Sequence, residues 1–113
     1  MPTEMRQIAF QHQEVARALL EYDRRRDNKF PAGNVRTVEI EEDPDIHATV
    51  TIEAINGGST AVKISAETLA AALILFCINH KIPMPVESTK RLQKVGDGVA
   101  LFVVKRHKPP AKA

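Results

Sequence analysis

The sequence contains a single cysteine, Cys77, so no disulfide can form within one chain. A reducing, cytoplasmic setting is the natural expectation for such a protein. Aromatic residues make up only 4% of the chain, which leaves little material for stacking on nucleic-acid bases. The longest uninterrupted apolar run, Leu69 to Ile78, is too short to cross a bilayer that needs about 20 such residues. The N-terminus MPTEMRQIAF has no apolar signal-peptide core, so secretion is not expected. Catalytic signatures are missing as well. There is no phosphate-cradling glycine loop, no CxxC pair, and no HExxH or GxSxG, and the four histidines are scattered singly at 12, 47, 80 and 107. Neither a cofactor nor a metal site is expected, because several convergent ligands would be needed.

What is present fits one domain of 113 residues, long enough to bury its own core. The net charge of +2 is unevenly spread. Residues 1–56 hold 11 acids and 7 bases (−4), whereas residues 57–113 hold 3 acids and 9 bases (+6). The centre of the pattern is SAETLAAALILFCINHKIPMP, residues 65–85. Ser65 is placed to cap a helix, Glu67 suits the positive end of its dipole, and Pro83 and Pro85 exclude helix beyond it. At 100° per residue, Leu69, Leu73, Phe76 and Cys77 share one face while Ala71, Ile74, Leu75 and Ile78 share another. One face can enter a core; the second needs a partner, either within the chain or on a second copy.

Met5, Ile8, Ala9, Val15, Ala16, Leu19 and Leu20 follow helical spacing, which predicts a first helix from Thr3 to about Asp27. His12 and Phe10 break that pattern. On a helix, Phe10 would stand among Arg6, Gln13, Glu14 and Arg17 as an exposed aromatic, a type of residue that concentrates binding energy at interfaces. Phe10, Arg6, Gln13 and Arg17 are therefore the expected partner-binding residues. Strands are expected over 35–41, 46–55 and 60–64, the last two joined by Asn56, Gly57, Gly58 and Ser59. The acids Glu39, Glu41, Glu42, Asp43 and Asp45 read as a solvated edge, since Pro44 sits where a calcium loop needs flexibility. Strands 92–95 and 99–104 form a hairpin around Gly96, Asp97 and Gly98, and the continuous apolar run Leu101 to Val104 implies a last strand covered on both faces.

The expected architecture is α+β: a mostly antiparallel five-stranded sheet with two helices in the order α-β-β-β-α-β-β. The compact domain spans residues 1–106, followed by a disordered basic tail over 107–113. The leading functional expectation is a non-catalytic protein-interaction or regulatory module working as a homodimer with an unidentified protein partner. The alternative is an accessory nucleic-acid binder using Arg24, Arg25, Arg26 and Lys29 with Lys105, Arg106 and Lys108. Against it stand a sequence pI of 8.9 and the absence of any helix-turn-helix, zinc or RNP signature. A small-ligand binder or enzyme would need a pocket that gathers two or more of His12, His47, His80 and Tyr22.

Overall fold

Residues 3–10 alternate in space where their spacing in the sequence reads as helical. In the computed structural model, which describes residues 2–26, 30–85 and 87–107, they form strand β1 (Thr3–Phe10). The first helix, α1 (His12–Arg25), begins only after it. Strand geometry puts Ile8 and Phe10 on one face, and both are buried or partly buried there. This resolves the misfit of Phe10, which breaks a helical stripe because it belongs to a strand. Helix α1 opens at Gln11, whose backbone N–H donates to Glu14 Oε1 at 2.9 Å, reaching back from the third helical position.

The chain continues through β2 (Asn34–Glu41), β3 (His47–Glu53), β4 (Ser59–Ile64), α2 (Ala66–Asn79), β5 (Thr89–Val95) and β6 (Gly98–Arg106). The strands build two separate three-stranded antiparallel sheets, ordered β1-β6-β5 and β2-β3-β4, in place of the single five-stranded sheet expected. The α+β class holds, and the β2-β3-β4 meander matches the expected one. The difference comes from the N-terminal segment. As a strand it supplies the third member that the β5–β6 hairpin needs, pairing Phe10 with Val99 and Thr3 with Arg106. Strand β6 thereby becomes a central strand, with Val99, Ala100, Leu101 and Val103 all buried.

Two glycines are required by close backbone approach. A Cβ on Gly98 would lie 2.2 Å from the carbonyl oxygen of Phe10, and one on Gly33 would lie 2.3 Å from that of Glu53. Both helices pack on one another and over the apolar face of the β2-β3-β4 sheet, and they also touch the β1-β6-β5 sheet. One core results, joining Val15, Ala18 and Leu19 of α1, Leu69, Leu73 and Cys77 of α2, Val38, Val50 and Ile52 of one sheet and Val99, Leu101 and Val103 of the other.

The first residue of the expected tail, His107, is anchored: its backbone N–H donates to the Pro2 carbonyl at 3.0 Å and its Nε2 meets Glu4 Oε1 at 3.0 Å. Residues 108–113 lie outside the described residues.

Candidate interaction surface

Helix α2 has no polar residue from Leu69 to Ile78, so every side of that stretch is apolar. Its start is capped by Ser65, whose Oγ accepts from the Thr68 N–H at 3.3 Å. At its end, Lys81 N–H donates to the Ile78 carbonyl at 3.3 Å and Ile82 N–H to that of Cys77 at 2.8 Å, with Lys81 at φ 57°. This is the paired hydrogen-bond closure of a Schellman motif, carried by a lysine where glycine is usual. The inner face, Leu69, Ala72, Leu73, Phe76 and Cys77, is buried, in agreement with the periodicity. Burial also pushes the Cys77 thiol above its ordinary pKa, so the residue behaves as a small hydrophobe.

The outer face is a different case. Ala71, Ile74 and Leu75 are partly buried and Ile78 is 66% exposed. With Tyr22, Arg25 and Arg26 of the α1 end they line a shallow hollow of about 510 Å³. A second hollow of about 320 Å³ adjoins it, lined by Leu19, Tyr22, Asp23, Arg26, Phe30, Val62 and Thr68. Tyr22 and Arg26 belong to both, and the Arg26 guanidinium carbon stands 5.4 Å from the centre of the Tyr22 ring in a cation–π contact. Helix α1 thus borders one flank of α2 and leaves the outer stripe only partly covered.

The residues expected to bind a partner are not gathered into one surface. Phe10 is 3% exposed, with its ring edge-on to Phe76 at 6.0 Å between centroids. It is a core residue where an exposed anchor was expected, because the helix it was assigned to starts after it. Arg6 lies on β1, paired with Glu4 at 3.1 Å and donating to the Pro83 carbonyl. Gln13 and Arg17 are exposed on α1, with Arg17 3.4 Å from Glu21. The uncharged patch on α2 is the feature that the choice of Phe10 missed. Its signal was the second apolar face of the 69–78 run.

The basic residues of the nucleic-acid alternative divide between separate elements. Arg24, Arg25 and Arg26 are exposed at the end of α1, Lys105 and Arg106 end β6 opposite Glu4 and Thr3, and Lys29 and Lys108 fall outside the described residues. Helix α1 and strand β6 both start beside Phe10, and each basic run sits at the far end of its element, about 20 Å from that junction.

The histidines are likewise engaged one by one. His12, at the first turn of α1, bonds through Nε2 to the Asp97 carbonyl. His47 is buried beneath the acidic turn, although it alternates along 46–55 with the apolar Ile46, Ala48, Val50, Ile52 and Ala54 and so falls on the strand's polar side. Its Nδ1 donates to the Asp45 carbonyl at 2.8 Å, since that oxygen can only accept, and its Nε2 lies 2.9 Å from Glu41. His80 stacks on Phe76 at 4.0 Å and pairs with Glu21 at 3.2 Å. No two of His12, His47, His80 and Tyr22 line a common cavity among the five main cavities of the described residues. Nor do any three His, Cys, Asp or Glu there gather as a metal would require. Among the same residues no helix is long and apolar enough to cross a membrane.

Comparison with known proteins returns no matching family model, no matching curated relative and no matching solved structure. The functional reading accordingly rests on geometry and chemistry.

Proposed function

We propose that the protein is a non-catalytic interaction module that works as a homodimer. The observation that supports this is the outer face of α2, where Ile78 is exposed and Ala71, Ile74 and Leu75 are only partly buried. The apolar surface that Ile78 and its partly buried neighbours still show to water gains about 25 cal/mol for each Å² removed from it, so the face favours association. The arginines at its rim add a polar border of the kind that surrounds apolar interface centres.

Light scattering of the full chain at low and high salt, with and without a mixed-sequence oligonucleotide, tests the reading. A dimer whose mass persists at high salt and ignores the oligonucleotide is the expected result. A monomer that binds the oligonucleotide only at low salt would overturn it in favour of the basic runs.

A further inference from the structure

The outer face of α2 is complementary to itself about Ile74. Glu67 lies seven residues before Ile74 and Lys81 seven after; Ala70 lies four before and Ile78 four after. Glu67, Ile78 and Lys81 are exposed and Ala70 is half-buried. A two-fold axis passing beside Ile74 would set position 74−n of one copy level with helical position 74+n of the other, and would bring Lys81, just past the C-cap, to the end where Glu67 of the other copy lies. It therefore sets a carboxylate against an ammonium at both ends and a protruding isoleucine against a small alanine on both sides.

Resting on the homodimer reading, we infer that the occupant of this face is a second copy of the chain, with the two α2 helices packed antiparallel about Ile74. Ile78 of each copy fills the space that Ala70 and Ala71 leave on the other. Glu67 of each pairs with Lys81 of the other. This is the isologous geometry of a closed two-fold dimer, in which each patch meets its own copy. The charges also select the direction. A parallel pairing would set Glu67 against Glu67 and Lys81 against Lys81, and like charges so placed disfavour that arrangement. A foreign apolar helix could use the stripe, but nothing about it would require the opposed placement of charge and bulk at equal distances from Ile74. The Schellman closure matters here because it holds Lys81 in fixed relation to the last turn.

The test uses the full chain and combines mass with covalent trapping. Ile74→Cys places a thiol beside the axis, where helix axes about 10 Å apart bring the two facing Cα atoms to about 5 Å, within disulfide range. Buried Cys77 does not compete for it. Under mild oxidation Ile74→Cys is expected to run as a covalent dimer while the unsubstituted protein does not. Ile78→Glu is expected to give a monomer with unchanged circular dichroism. Glu67→Lys should raise the dimer dissociation constant about tenfold or more, and adding Lys81→Glu to it should restore affinity, which a merely structural role of either residue would not produce. A dimeric protein in which Ile78→Glu stays dimeric and Ile74→Cys fails to cross-link would overturn the α2 pairing while leaving the homodimer reading standing. An unsubstituted chain that is monomeric at every concentration would overturn both.

Discussion

At the scale of single residues, polar side chains hold apolar elements together at the edge of the core. Glu21 of α1 is met by His80 and Asn79 from the end of α2 and by Arg17 from its own helix. Partial burial pushes its carboxyl up, but the hydrogen bonds from His80 and Asn79 and the nearby charges outweigh this and hold it below the ordinary value of 4.5. A depressed carboxylate pKa contributes stability that is fully present above the ordinary value and is lost as the pH falls through the lowered one. Glu21→Gln should therefore be less stable than the unsubstituted protein at pH 7, and the gap should narrow towards pH 3, as urea unfolding at the two pH values would show. A gap that stayed constant would mean that the carboxylate charge contributes nothing. The place of His80 just past the end of an apolar helix is legible in the sequence, but its partner is not. Glu21 is 59 residues away, and no local pattern connects the two.

Secondary structure was most legible where one period dominates. The start and inner face of α2 and the alternation of β3 agree with the sequence pattern, because each is a long run of one periodicity. Residues 3–10 were misread for an equally physical reason. Met5, Ile8 and Ala9 satisfy helical spacing, and only Phe10 and the β6 edge it pairs with distinguish the strand. The burial of His47 was not legible, because the turn that covers it consists of acids that look solvated in isolation. The β1–β6 contact also yields a prediction at this scale. Gly98→Ala would drive a Cβ against the Phe10 carbonyl, a backbone group that cannot swing aside, and should cost about 3 kcal/mol by the usual penalty of overpacking. Chemical denaturation would measure it, and a variant as stable as the unsubstituted protein would mean that β1 does not lie against that hairpin.

On the scale of the whole molecule, one aromatic joins the two halves. Phe10 brings the β1-β6-β5 sheet onto Phe76 of α2, which in turn packs with the β2-β3-β4 layer through the shared core. Phe10→Ala should accordingly destabilise the fold by about 3–5 kcal/mol, the usual cost of emptying a buried aromatic site. Thermal unfolding would check it, and a loss of self-association without loss of stability would return Phe10 to the surface role first expected of it. The α+β class, the meander, the final hairpin and the two apolar faces of α2 were already present in the amino-acid pattern, because all of them follow from periodicity and turn chemistry within a few residues. Only the tertiary structure decided that the N-terminal segment is a strand, that there are two sheets and that Phe10 is buried. Those outcomes depend on pairings between residues as far apart as Thr3 and Arg106, which no local pattern encodes.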